Sequence, residues 1–253
     1  MDQYIKTKNS SVRIYDINHY NNLIRLMDVN GGHQSACYIE ESKKSKLVID
    51  YTKFYNLMFH VTTCKNVLMI GGGGFSYPKF LVSNFPDIEI DVIEIDEEIT
   101  EIAKKYMFLQ DYLDKYNTDN CERLRIINDD GRNYISNCTR KYDAILNDAY
   151  DGDKPIQSLL TVEFLQTLKN RLNPKGVYIT NIISSLEGEN SKTLKDEVKT
   201  LKCLFKNVFV IPCSKKYSVY SKANNIVLST DRKIDFENKY IFSDTKDAEI
   251  IKD

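Results

Sequence analysis

The chain reads as an α/β protein, a doubly wound and mostly parallel sheet with a small antiparallel β unit at its N-terminal end. Three observations predict this. The apolar run Val67-Leu68-Met69-Ile70 stops abruptly at Gly71-Gly72-Gly73-Gly74, as a buried parallel strand does when it feeds a tight turn against which a ligand can lie. A second run rich in Ile and Val, residues 89–95, carries Glu94 at 23 positions after Gly71. That is close to the offset of about 20 residues at which an acid ends the second strand of a nucleoside-binding unit and bonds the ribose diol. Beyond it, strand and helix patterns alternate to residue 230, the mark of a parallel sheet covered on both faces.

Residues 1–55 form the N-terminal β domain. Its short alternating runs are Val12-Arg13-Ile14-Tyr15, Leu23-Ile24-Arg25-Leu26-Met27, Ala36-Cys37-Tyr38-Ile39 and Leu47-Val48-Ile49, with Asn30-Gly31-Gly32 as a turn signal. A helix over residues 51–60 leads into the glycine strand. Residues 56–230 form a Rossmann-like domain. After the glycines a helix carries Tyr77, Phe80, Leu81 and Phe85 at helical spacing and closes at Pro86. The strand after it is followed by a helix over 97–108, a strand over 124–128, a helix over 132–137, a strand over 142–147 and a helix over 161–172. Asn173-Pro174-Lys175-Gly176 stops that helix, and residues 177–183 are the fifth strand. A helix over 191–204 follows, and residues 208–211 and 225–228 supply closing strands. The charged tail, 231–253, is expected to be loosely held.

Composition bounds the function. The chain has 253 residues, 42% of them apolar, enough for one large domain with an appendage. A net charge of −1 argues against a nucleic-acid partner held by bulk electrostatics. No segment approaches the ~20 apolar residues of a membrane span, and the N-terminus lacks a signal-peptide core, so a cytoplasmic location is expected. Six cysteines without a C-x-x-C pair and three histidines give no metal site; buried reduced thiols are expected instead. Phe75, Ser76 and Tyr77 occupy the positions around the third glycine of a dinucleotide fingerprint. An adenosyl sulfonium therefore fits better than NAD, since no pyrophosphate has to sit on the helix N-terminus.

In an open α/β sheet, ligands bind beyond the C-terminal ends of the strands. Here those positions are acidic: Glu94 and Asp96, then Asp129 and Asp130 before Gly131, then Asp148 and Asp151. One acid at a strand end can be a helix cap, as Asp129 or Asp130 before Gly131-Arg132 could be. Three consecutive acidic strand ends suit a cationic sulfonium and an amine acceptor. Asp148 is the candidate general base, with a pKa expected to rise through partial burial and through Asp151 nearby. No Ser/His/Asp or Cys/His arrangement and no P-loop lysine is evident, which argues against hydrolase and kinase chemistry.

These residues resemble the spermidine synthase-like (polyamine aminopropyltransferase) family of class I adenosylmethionine-dependent transferases over most of residues 23–230. The matching pieces are Gln34-Ser35, Val67 through Gly73, Val92-Ile93-Glu94-Ile95-Asp96, Asp130-Gly131-Arg132, and the run from Tyr142 to Gly152. Leu160-Thr161-Val162-Glu163-Phe164 and Leu172-Asn173-Pro174-Lys175-Gly176-Val177 complete the pattern. The resemblance implies a methyltransferase-type sheet, usually in a homodimer or larger oligomer. It implies aminopropyl transfer from decarboxylated S-adenosylmethionine to a small-molecule amine, with no metal. Glu94 would hold the ribose hydroxyls, Asp130 would reach the adenine amino group, and Gln34, Gly71, Gly72, Gly73, Ile95 and Gly131 would complete the donor pocket. Asp148 would deprotonate the acceptor, with Asp151 and Tyr55 beside it. The family's Tyr-His or Tyr-Gln pair before the glycine strand aligns with Tyr55-Asn56, and Tyr51 competes for the tyrosine's place. Two departures stand out: Gly74 replaces the family's Asp, and Gly152 replaces the proline after the second Asp. S-adenosylmethionine-dependent methyl transfer is the alternative activity, and a noncatalytic adenosyl-nucleoside-binding module is the alternative outside enzymes. Residues 152–155 are a candidate lid.

Overall fold

A computed structural model describes residues 1–118 and 121–253. The chain begins with a four-stranded antiparallel meander, β1 (Asp2–Lys6), β2 (Ser11–His19), β3 (Asn22–Val29) and β4 (Gly32–Tyr38), paired in chain order. Its last hairpin turns through Asn30 (φ 52°) and Gly31 (φ 84°), the left-handed pair that matches strand twist. Val12 and Ile14 of β2, Met27 of β3 and Cys37 of β4 join the main core. The edge strand β1 precedes the first expected run. Its Tyr4 is 75% exposed, so it carries little of the alternation that marks a strand. Leu47-Val48-Ile49 forms no strand, although Leu47 is buried.

A 3-10 helix over Asp50–Leu57 runs into α1 (Met58–Val61), where a single α-helix was expected. The main sheet then opens with β5 (Asn66–Ile70), α2 (Ser76–Asn84), β6 (Glu89–Glu94) and α3 (Glu97–Tyr106). A second helix, α4 (Leu109–Tyr116), follows after Phe108 takes φ 61°. Two short strands, β7 (Asn117–Thr118) and β8 (Cys121–Glu122), pair with each other before β9 (Leu124–Asn128). Next come α5 (Gly131–Asn137), β10 (Tyr142–Asn147) and a small hairpin of β11 (Tyr150–Asp151) with β12 (Lys154–Pro155). The rest is α6 (Val162–Lys169), β13 (Leu172–Ser184), α7 (Lys192–Lys202), β14 (Asn207–Pro212) and β15 (Ala223–Thr230).

The sheet runs β14-β15-β13-β10-β5-β6-β9. Strands β9, β6, β5, β10 and β13 are mutually parallel, while β15 is antiparallel to both β13 and β14. This is the methyltransferase-type order, with the last strand inserted between the two before it. Alternate residues of β5 divide between the faces. Val67 and Met69 pack into the layer that also holds the N-terminal meander, and Leu68 and Ile70 pack into the layer under α6 and α7. That two-sided burial is what makes the strand a continuous apolar run. The winding reverses at β5, which lies between β6 and β10, so a cleft opens there.

Further expectations change. Helix α6 ends at Lys169 and β13 begins at Leu172, so Asn173-Pro174-Lys175-Gly176 lies within the strand as an irregularity. Lys175 takes φ 71°, and the register against β10 shifts between Leu172 and Val177. The tail after residue 230 is also not loosely held. The Tyr240 amide donates to the Val210 carbonyl, and the Tyr240 hydroxyl and Ser243 amide donate to Glu187 at 2.8 and 2.9 Å. Further along, Ala248 is buried, the Val162 amide donates to Ile251, and Asp253 pairs with Arg132. Burial would raise the Glu187 pKa, but the Ser243 amide, the Tyr240 hydroxyl and the Lys195 charge outweigh it and bring the carboxyl to about 2. All six cysteines are free thiols, but only Cys37 and Cys64 are buried. Burial, with the nearby Asp143 charge, pushes the Cys64 thiol up to about 12, which removes its nucleophilic form at neutral pH. Among the described residues no helix is long and apolar enough to cross a membrane.

Candidate active site

The glycine turn is built by close approach. The Gly71 amide donates to Ile93 on β6, and the Asp148 amide donates to Ile70 on β5, each at 2.9 Å. Gly71 sits at φ +94°, and a Cβ there would lie 2.7 Å from the Asp148 carbonyl oxygen; only glycine lets β5 and β10 diverge this tightly. Glu94 at the end of β6 locks the turn. Its Oε2 accepts from the Gly72 and Gly73 amides, both at 3.0 Å, and its Oε1 accepts from Asp96 at 3.0 Å. Phe75 then enters α2 at φ 55° with its ring packed beneath Gly72.

Asp148 lies where β10 ends. Tyr51, from the 3-10 helix, donates to its Oδ2 at 2.9 Å, and Asn181 of β13 donates to its Oδ1 at 3.2 Å. Asn181 is itself tied to Asn224 of β15 at 3.0 Å, so three strands and a helix converge on one carboxylate. Burial is the dominant influence and raises this carboxyl to about 6, against the pull of its hydrogen bonds. Asp151 has no part in that rise, contrary to expectation. A carboxyl poised near 6 is ionised at neutral pH yet basic enough to accept a proton in a transition state.

One cavity of about 460 Å³ joins these groups. Ten of the expected residues line it: Gln34, Gly71, Gly72, Gly73, Glu94, Ile95, Asp130, Gly131, Asp148 and Asp151. Ile95 is 69% exposed, an apolar side chain left at the mouth. Asp130 also caps α5, accepting from the Asn133 amide at 2.9 Å. The hairpin of β11 and β12 carries Asp151, and its tip at Gly152 approaches Gly32 of the N-terminal meander, so the candidate lid lies across the cleft. Tyr55 does not line the cavity. It is fully buried behind Tyr51 and against Tyr77, with ring centroids 6.1 and 5.1 Å away, and its hydroxyl, though without a partner at hydrogen-bond distance, lies near enough to Asp148 to help Tyr51 and Asn181 lower that carboxyl's pKa. Asn181, Asn9 and Ser10 escaped the sequence reading. Nothing local marks them, because turns and strands far along the chain bring them in. Among the described residues no group of three or more His, Cys, Asp or Glu is disposed to hold a metal ion.

A profile of the spermine/spermidine synthase domain matches residues 55–237. The chain belongs to this family. It is similar to a polyamine aminopropyltransferase of Vibrio vulnificus, with 29% identity over 180 residues, covering 69% of this chain and 55% of that protein. It is also similar to an eEF1A lysine and N-terminal methyltransferase homolog of Drosophila melanogaster, 29% identical over 172 residues, which cover 64% of this chain and 23% of that protein. Among solved structures, a probable spermidine synthase from Corynebacterium glutamicum shares the fold at TM-score 0.77 and 19% identity, covering 94% of this chain and 83% of that one. The match spans about half the length of the curated relatives, 39% of a second aminopropyltransferase from Hyperthermus butylicus.

Proposed function

We propose that this protein transfers an aminopropyl group from decarboxylated S-adenosylmethionine to a small-molecule amine. The observation that carries this reading is Asp148, a carboxylate held by Tyr51 and Asn181 on the floor of the acidic cavity, with its pKa raised to about 6. In this reading the acceptor amine attacks the carbon next to sulfur, the C–S bond breaks with its electron pair going to sulfur, and Asp148 takes the amine proton. The products are methylthioadenosine and the extended amine. Glu94 holds the ribose diol, the exposed face of Ile95 carries the adenine, and Asp130 accepts from the adenine amino group. Gly71, Gly72, Gly73 and Gly131 let the donor approach the backbone. Gln34 completes the donor pocket, Asp151 binds the acceptor's charged end, and Tyr51, with Tyr55 behind it, holds the base. The near-zero net charge supports a small-molecule partner, and the family resemblance supports a cytoplasmic homodimer divided at residues 55 and 230.

Incubation with decarboxylated S-adenosylmethionine and putrescine, followed by mass spectrometry, tests the reading. Methylthioadenosine and an amine heavier by one aminopropyl unit should form in equal amounts. Tight donor binding with no transfer to putrescine or to longer diamines would overturn it.

Methyl transfer from intact S-adenosylmethionine is the second reading. One observation favours it: the glycine turn carries Gly74 where the family resemblance leads to an acid.

A further inference from the structure

The family profile stops at residue 237, and the chain beyond it is put to use. From Ala248 onward it lies along α7 as a strap. The Lys199 ammonium donates to the Ala248 carbonyl at 2.8 Å, the Glu249 amide to Asp196 Oδ1 at 2.7 Å, and the Ile251 amide to the Thr200 hydroxyl oxygen at 2.9 Å. The strap then meets the first turn of α6. There the Val162 amide donates to the Ile251 carbonyl at 2.9 Å, and the Asp253 amide donates to Glu163 at 3.2 Å.

Asp253 grips Arg132 with both carboxylate oxygens. Arg132 Nη1 donates to Asp253 Oδ1 at 2.8 Å and Nη2 donates to Asp253 Oδ2. The same Nη1 donates to the Ser158 carbonyl at 2.8 Å and lies 3.2 Å from the Thr161 Oγ1, while the guanidinium stands over the Phe164 ring. These contacts join two walls of the cavity. Arg132 directly follows Asp130 and Gly131, which line it from the start of α5, and Ile156 and Leu159 line it from the segment that returns from the β11–β12 hairpin. That returning segment has only one 3-10 turn, Gln157–Leu159, of its own. An unpaired arginine side chain samples many rotamers; a carboxylate that takes both prongs fixes its fork. Walls set before a ligand arrives lose less free energy to ordering when it binds.

We propose that Arg132 and Asp253 are positioning residues for the adenosyl ligand: through this pair the C-terminal strap clamps the α5 wall to the Ile156–Leu159 wall and preforms the slot between them. The inference rests on the adenine site proposed above, at Ile95 and Asp130, and adds a device that lies outside the family profile. Both partners are part exposed, at 32% and 45%, so the pair adds little to overall stability. Its loss should be read in the pocket and not in melting.

Titration calorimetry with methylthioadenosine on the full chain tests it. Arg132→Met keeps a stem over Phe164 and removes the fork; affinity should fall about tenfold. Asp253→Asn should lower it about threefold, and Asp253→Glu, which keeps the charge, should bind as the unaltered protein does. The double variant Arg132→Met/Asp253→Asn should be no weaker than Arg132→Met alone, because both changes break one tie. In turnover the loss should appear in KM for the donor, with kcat held within about twofold. Unchanged affinity in Arg132→Met, an additive loss in the double variant, or a fall in kcat with KM unmoved would overturn the clamp and leave the proposed transfer intact. If Arg132→Met fails to fold, the two Asp253 variants decide the point, and equal affinities in Asp253→Asn and Asp253→Glu would overturn it. Failure of the unaltered protein to bind methylthioadenosine would overturn the adenine site and the clamp together.

Discussion

Tyr51 reaches across 97 residues of sequence to donate a 2.9 Å hydrogen bond to Oδ2 of Asp148. A bond to the ionised form lowers a carboxyl pKa, so Tyr51→Phe should move the acidic limb of the rate profile above about 6 and reduce kcat/KM at pH 7 by about tenfold. Tyr55, whose hydroxyl is unbonded, should give a smaller shift as Tyr55→Phe. Profiles of both variants decide the point: equal shifts would remove the distinction between the two tyrosines.

Asp148→Asn should lower kcat by about 10²–10⁴-fold, the usual range for loss of a general base. Methylthioadenosine and donor should bind nearly as before if Asp148 acts on the acceptor, as proposed. A parallel loss of donor affinity in calorimetry would take the base assignment away.

The same residue makes stability depend on pH. The folded pKa, about 6, lies above the unfolded value of about 3.9. The folded state therefore holds its proton longer, and this contribution is complete below about pH 4 and lost as pH rises through 6. Asp148→Asn should melt progressively higher than the unaltered protein between pH 4 and 7, by a few degrees at most, with a constant difference beyond. Melting curves at half-unit intervals read this directly; a difference that shrinks with rising pH would mean the carboxylate is stabilised by folding.

Glu94→Gln turns one of the two oxygens that hold the Gly72, Gly73 and Asp96 amides into a donor and removes the charge that is proposed to face the ribose. Donor and methylthioadenosine should both weaken, by about tenfold or more. Weakening of the donor alone would show that Glu94 senses the sulfonium charge and not the ribose.

Glu187 fastens the C-terminal tail, and its pKa of about 2 lies below the usual carboxylate range. Its contribution is present above the unfolded value of about 4.3 and is lost as pH falls through 2. Glu187→Gln should therefore lower the melting temperature at pH 7 by a few degrees and have little effect near pH 2. Limited proteolysis at pH 7 should cut the variant within residues 231–253 before the unaltered protein. Identical digestion would exclude Glu187 as the fastening point.

Much of the site was legible because its signals are local. A strand that stops at glycines, and an acid at the end of the next strand, are both written within 30 residues. What was missed depends on backbone geometry or on distance. The segment carrying Tyr51 and Tyr55 was read with the α-helical period, yet it winds as a 3-10 helix, whose threefold repeat alters which tyrosine faces Asp148. The sequence reading ends its helix at residue 108 and gives 109–116 no element, yet α4 starts there after a left-handed phenylalanine, Phe108, a restart that no apolar pattern announces. The tail is held by scattered contacts, among them those to Val210, Glu187, Val162 and Arg132, with no period for a sequence reading to find.

The position of β15 has a consequence for biosynthesis. Residues 223–230 are made last among the strands of the sheet but sit inside it, between β13 and β14. Until they emerge from the ribosome, the outer edge of β13 carries unpaired amides and carbonyls beside buried apolar side chains, a surface open to pairing with other chains. Asn181 lies on that edge and pairs with Asn224 of the incoming strand. Arrival of the strand that closes the sheet therefore also brings Asn224 to Asn181, the residue that holds the Asp148 carboxylate.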